Sequence, residues 1–84
     1  MRVEFFGVSR ERSGVAERHA QAGTLGELLR TLAADHPALA ELMTDGRLHP
    51  SLAANINGDR FVRDPGTPLD DRDSVLILSA DVGG

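Results

Sequence analysis

No cysteine and no lysine occur among the 84 residues, and all nine basic side chains are arginine. Without cysteine there are no disulfides, no thiolate metal sites and no thiol nucleophile. Without lysine, the Met1 amine is the only amine nucleophile in the chain. Positive charge is also scarce. A net charge of −4 and a pI near 5.2 argue against nucleic-acid binding, which calls for a basic patch. They suit a partner with a basic surface. No run approaches the roughly 18 apolar residues of a membrane span. The opening MRVEFFGVSRERSG is broken by Gly7, Arg10 and Glu11 and does not read as a secretory leader. A soluble, cytoplasmic domain is expected.

Catalytic and ligand-binding patterns are missing as well. His19, His36 and His49 share no metal-ligand spacing. Gly23 and Gly26 lack both the P-loop lysine and the GxGxxG spacing. Asp70, Asp71 and Asp73 could meet a cation but read more simply as a solvated turn. Neither a bound cofactor nor a metal is expected.

The 40% hydrophobic content supports one core in one domain. Arg2–Val8, containing VEFF, has strand character. Ser9–Gly14 is polar, ends in glycine and reads as a loop. Val15–Ala22 alternates weakly and predicts a second strand, closing an N-terminal hairpin. Thr24 and Glu27 have capping-box spacing. Leu25, Leu28, Leu29 and Leu32 then repeat on one helical face. That helix should stop near Asp35, because Pro37 disfavours helical geometry at His36. Pro37 suits the first turn of a second, shorter helix burying Leu39, Leu42 and Met43. After a loop at Asp45-Gly46, a strand is expected at Ser51–Asn57. Asn57-Gly58 is a type I′ turn signal, and Arg60–Arg63 forms the return strand. An irregular loop and a polar turn at Leu69–Asp73 lead to the last strand, Ser74–Ser79.

Elements this small share one core only if the long helix crosses one face of a single sheet. The expectation is an α+β fold of the β-grasp, ubiquitin-like kind: a mixed sheet of four to five strands, one main helix and a second short helix. Residues 1–79 form the domain and 80–84 a flexible tail. The other sheet face should turn polar, yet the last strand is apolar in both directions. Phe6, Leu76 and Leu78, with Phe61 at the edge, are therefore expected to expose a docking surface.

The tail reads Ala80-Asp81-Val82-Gly83-Gly84. Glycine lacks a Cβ, so such a segment can thread a narrow channel. Six extended residues, Ser79 to Gly84, reach about 20 Å. Gly83 and Gly84 are expected to be exposed and mobile.

Phe5-Phe6 followed by Arg10-Glu11 and Gly14, then Thr24-Leu25-Gly26-Glu27-Leu28, Asn57-Gly58, Pro68-Leu69, Asp71, Asp73, Val75 and the final Gly83-Gly84 together resemble the MoaD/ThiS sulfur carriers. The likeness is strongest to the small subunit of molybdopterin synthase. Ser79-Ala80 and Asp81 depart from that family's proline and apolar residue before the tail, and Arg72 replaces a usual glycine. The resemblance implies a carrier without catalytic residues of its own. A ubiquitin-activating-type adenylyltransferase would use ATP to convert the Gly84 carboxylate to an acyl adenylate. A sulfur donor enzyme would then leave a thiocarboxylate at Gly84, with Gly83 beside it. A sulfur-accepting synthase would be the second partner, contacted through Phe6, Phe61, Leu76, Leu78, Asp81 and Val82. Molybdopterin synthesis is the leading pathway, and thiamine, cysteine and secondary-metabolite pathways stay open. Two rival readings are a protein modifier joined through Gly84 to target lysines and a non-covalent interaction domain.

Overall fold

The computed structural model describes residues 1–81. The chain pairs its first strand with its last, in parallel, at the middle of a five-stranded sheet. The strands are β1 (Arg2–Phe5), β2 (Glu17–His19), β3 (Leu52–Ile56), β4 (Arg60–Val62) and β5 (Ser74–Ser79), in the order β2-β1-β5-β3-β4. All other pairings are antiparallel, so the sheet is mixed. A parallel pair needs a long crossover, and the helices supply it.

The principal helix, α2, spans Leu25–Asp35. Thr24 Oγ1 accepts from the Glu27 N–H at 3.2 Å. The Glu27 carboxylate reaches back one residue further than a standard capping box and accepts from the Gly23 N–H at 2.8 Å. Leu25, Leu28, Leu29 and Leu32 are fully buried against one face of the sheet. There Val3, Val75 and Ile56 form one rung, and Phe5, Ile77 and Ala54 the next. After His36 the chain tightens into a 3-10 helix, Pro37–Leu42, burying Leu39 and Leu42, with Met43 buried just after it. The Asn57-Gly58 turn has positive φ at both residues, 58° and 68°, as the type I′ geometry requires.

Two expectations at the N-terminus are corrected. Ser9–Gly14 is not a loop: Val8–Ser13 forms a short helix, α1. Gly14 closes it at φ 78°, donating its N–H to the Arg10 carbonyl. A helix of six residues shows too little periodicity to be read, and its buried side chain, Ser9, is polar. The entry into α1 also shortens β1, which stops at Phe5 rather than Val8. The second strand covers only Glu17–His19 of the expected Val15–Ala22, as an exposed sheet edge. The β1–β2 pairing itself is antiparallel, as expected, with α1 inserted in its connection. Arg12 donates to Glu41 and to the Ala38 carbonyl, tying α1 to the 3-10 helix.

The acidic turn before β5 is occupied by its own hydrogen bonds. Asp73 accepts from the Asp70 N–H at 2.8 Å and from Asn57 Nδ2 at 2.9 Å. Asp70 accepts from the Arg72 N–H at 2.9 Å. Among the described residues, no group of three or more His, Asp or Glu side chains is placed to hold a metal. The bond from the Asp70 N–H, then that from Asn57, lowers the Asp73 carboxyl pKa below the ordinary carboxylate value. A depressed native pKa gives stability that is present above the unfolded value of about 3.9 and is lost as pH falls through the native one. Chemical denaturation of wild type and Asp73→Asn at successive pH values should show wild type more stable near neutrality. The difference should shrink as the solution is acidified below the range where free aspartate titrates.

Candidate functional site

The sheet face away from α2 carries the expected docking residues. Strand alternation puts Phe5 in the core and Phe6 on the open face, where it is 51% exposed. Phe61 is 56% exposed and lies opposite Asn55, which in turn lies opposite Leu76. Leu78 lies opposite Ala53, one rung further along. Phe6 and Phe61 thus flank a floor made by β5 and β3, three strand spacings or about 14 Å apart. Phe6, Leu76, Leu78 and Phe61 are brought to one surface. Their exposure is uneven, however: Leu76 is half-buried and Leu78 only 7% exposed. A central strand lends each side chain two flanking neighbours, so Leu78 is part of the floor and the two phenylalanines are the projecting groups.

Asn55, which sequence patterning gave no reason to single out, sits in this floor. It is 8% exposed, and its Oδ1 is buried and accepts no hydrogen bond among the described residues. A buried amide oxygen without a donor is costly, about 1–3 kcal/mol. The rung Leu76–Asn55–Phe61 therefore holds a polar acceptor within apolar surroundings. Further along the same face, Arg2 meets Glu17 at 2.8 Å and Glu4 at 3.4 Å. Glu17 first, then Glu4, raises the Arg2 pKa. These exposed pairs add little stability but give that end of the face a polar character, with one arginine against two glutamates.

The tail leaves from β5, whose end is tied on both sides. Ile77 O accepts from the Phe6 N–H at 3.0 Å and from Ser9 Oγ at 2.7 Å. Ser9 is the fully buried residue of α1, and its bond to the Ile77 carbonyl explains a serine there. Ala80, assigned to the tail by sequence, still donates to Ser51 O at 2.8 Å. Asp81 is exposed at the exit. Val82, Gly83 and Gly84 lie outside the described residues.

Gly7 permits the close fit at this exit. Its φ is 69°, and a Cβ there would stand 2.7 Å from Ser79 Oγ. The positive φ disfavours larger residues, and the contact would require the Ser79 hydroxyl to turn away. Sequence inspection placed Gly7 as an interruption only; the signal, a glycine between the strand VEFF and a polar stretch, was a turn into α1. Gly7→Ala should destabilise the domain by about 1–3 kcal/mol, read as a lower urea midpoint. Gly14→Ala offers a comparison, since its Cβ would meet nothing within 4 Å and only the backbone strain remains.

Among the described residues the histidines join no metal-binding group. His36 meets the Phe5 ring edge-on at 5.8 Å between centroids and lies 3.2 Å from Arg18. His49 Nδ1 accepts from the Ser51 N–H at 3.0 Å, and His19 belongs to β2. No helix among the described residues is long and apolar enough to cross a membrane.

Known proteins share this framework. The solution structure of the Haloferax volcanii HVO 2177 protein is 30% identical, with 99% of this chain and 84% of that one covered at a TM-score of 0.76. The crystal structure of SAMP1 from Haloferax volcanii aligns at 22% identity over 93% of this chain and 91% of that one, with a TM-score of 0.78. A putative molybdopterin converting factor subunit 1 from Pyrococcus furiosus aligns at 22% identity over 93% of both chains, with a TM-score of 0.74. A comparison with curated proteins finds no match. The family model described as "ThiS family" matches residues 3–84, the β-grasp domain and the glycine tail together, and the chain belongs to this family of ubiquitin-like sulfur carriers.

Proposed function

We propose that this chain carries sulfur on Gly84 for cofactor biosynthesis, with molybdopterin the leading product. The observation that supports this most is the placement of β5. The strand leading to Gly83-Gly84 is the central one of the sheet, in a chain matched to the ThiS family through residue 84. A central strand that ends at Ser79, two residues before an exposed Asp81, suits a domain that inserts its terminus into a partner.

The Gly84 carboxylate, with a reference pKa of about 3.3–3.7, is ionised at neutral pH and a poor electrophile. A ubiquitin-activating-type adenylyltransferase supplies ATP: a carboxylate oxygen attacks the α-phosphorus and pyrophosphate leaves. A persulfide or sulfide sulfur from a donor enzyme then attacks the Gly84 carbonyl carbon, and AMP leaves. With a persulfide donor, reduction of the resulting acyl disulfide by a thiol releases the thiocarboxylate. A sulfur-accepting synthase consumes it. In this reading the chain contributes the reacting atom and a docking face, Phe6 and Phe61 over the Leu76–Leu78 floor with Asp81 at the exit; Val82, next in sequence, is expected to add to the contact. The partners contribute the catalytic groups. The length and the second, 3-10 helix favour the molybdopterin type over the shorter thiamine type. Cysteine and secondary-metabolite pathways use the same terminal chemistry. A Haloferax volcanii protein that shares the fold is named small archaeal modifier protein 1, and transfer of Gly84 to target lysines is the second reading.

Two tests follow. One residue added after Gly84 displaces the reactive carboxylate by about 3.5 Å and should abolish adenylation by the cognate activating enzyme. Normal loading of the extended chain, with no trimming by mass, would sink the proposal. Phe6→Ser and Phe61→Ser remove half-exposed rings and should cost up to about 2 kcal/mol of stability while leaving the domain folded, checked by urea denaturation. Each should weaken binding to the activating enzyme about tenfold or more; unchanged affinity in both would remove the open face from the docking surface. Leu78→Asp is the poorer probe, since it puts a charge at a buried position and costs stability.

A further inference from the structure

The chemistry of an activated Gly84 depends on which nucleophiles it meets, and its own chain offers almost none. There is no lysine and no cysteine. Arginine stays protonated at neutral pH and does not attack carbonyls. Serine and threonine hydroxyls are weak nucleophiles without an adjacent base; among the described residues Ser51 has its Oγ beside an imidazole, 2.8 Å from His49 Nδ1, and peptide mapping reads acylation there directly. An acyl group on a histidine would pass on to water. The Met1 amine remains, the one amine this sequence offers.

The fold withholds that amine. Met1 N donates to Ala20 O at 2.8 Å in a buried hydrogen bond. The Ala20 N–H donates back to Met1 O at 3.0 Å, and the Met1 residue belongs to the core at 8% exposure. Attack would require β1 and β2 to separate at this end. Direction matters too. β1 and β5 run parallel with Arg2 opposite Ser74, so Met1 lies at the end of the sheet opposite the tail exit. Six residue steps, about 20 Å, separate its level from Ser79. The five steps from Ser79 to Gly84 reach at most about 18 Å, so one copy cannot close on its own amine.

Resting on the carrier reading, we infer that the activated chain is a donor only: it acylates sulfur donors, water or foreign amines, and does not accept an acyl group from another copy of itself. In aminolysis the C–N bond forms at the Gly84 carbonyl as the bond to AMP breaks. AMP departs with the electron pair of the broken bond, and the attacking amine, protonated on nitrogen once the C–N bond has formed, loses that proton to solvent. No second copy supplies that amine. Adducts with foreign proteins, where they form, carry one copy per acceptor site, and chains of this domain do not grow.

The test needs no activating enzyme. The untagged 84-residue chain is prepared as a Gly84 thioester of 2-mercaptoethanesulfonate and held at high concentration near pH 8, where α-amines are about half deprotonated. Intact mass and peptide mapping follow the products. Wild type should give only the hydrolysed carboxylate, and the monomeric adduct when Nα-acetyl-lysine is added. Arg72 is exposed, and Arg72→Lys should yield dimers joined from Gly84 to position 72 at least about tenfold above the wild-type level, because a free side-chain amine is now present. Wild-type dimers at the level of that variant, through Met1 or any side chain, would overturn the inference. So would an equal absence of dimers in both chains, since the missing lysine would then decide nothing. Because the thioester is made chemically, failure of an activating enzyme to load Gly84 counts against the carrier reading alone.

Discussion

The parallel pairing of β1 with β5 is the constraint on which the rest of this structure depends. It places the last strand in the middle of the sheet, between β1 and β3, rather than at an edge where a terminal strand would fray. A central strand has neighbours on both sides, which is why Val75-Leu76-Ile77-Leu78 is apolar in both directions. Its inward residues, Val75 and Ile77, complete the core under α2; its outward ones make the floor of the open face. The same pairing sets Met1 and the tail exit at opposite ends of the sheet. Core packing, the open apolar face and the separation of Met1 from the tail exit all descend from one strand placement.

The exit end of β5 is held by contacts from a segment that looks unremarkable in sequence. Ser9 bonds the Ile77 carbonyl, and Gly7 lets the turn into α1 approach Ser79. These residues present no catalytic chemistry. Their effect is to deliver residues 80 and 81 in a defined direction beside Phe6. The neighbouring face is apolar at its projecting points and polar at one buried one, Asn55. A partner that covers Phe6 and Phe61 also covers an amide oxygen still lacking a donor, so a donor in that partner would relieve an existing cost.

Where the sequence was readable, the cause was strong local chemistry. The Thr24 cap and the leucine repeat define α2; Pro37 ends it; Asn57-Gly58 requires the turn it makes; and the apolar run 75–78 is a strand whatever surrounds it. Together these forced helix-on-sheet packing and hence the β-grasp arrangement. Where reading failed, the deciding interaction was tertiary. α1 is too short for periodicity and is anchored by one buried hydroxyl bonded to β5, 68 residues away. The extent of β2 depends on how much of β1 remains after α1 begins. Leu78 belongs by parity to the open face, but its burial comes from its flanking strands. Asn55 falls in a strand whose alternation says only which face it occupies, not that its oxygen goes unpaired.

The central claim is that this domain works through sulfur held on Gly84, and the absence of cysteine makes it directly measurable. The chain is incubated with a ubiquitin-activating-type adenylyltransferase from its own source, ATP and a sulfide donor, then treated with a thiol-alkylating reagent and weighed intact. The account predicts a single alkylation per chain, mapped to Gly84, dependent on ATP and accompanied by AMP release. A chain that stays unalkylated while the enzyme releases AMP, or one for which ATP has no effect, would contradict it.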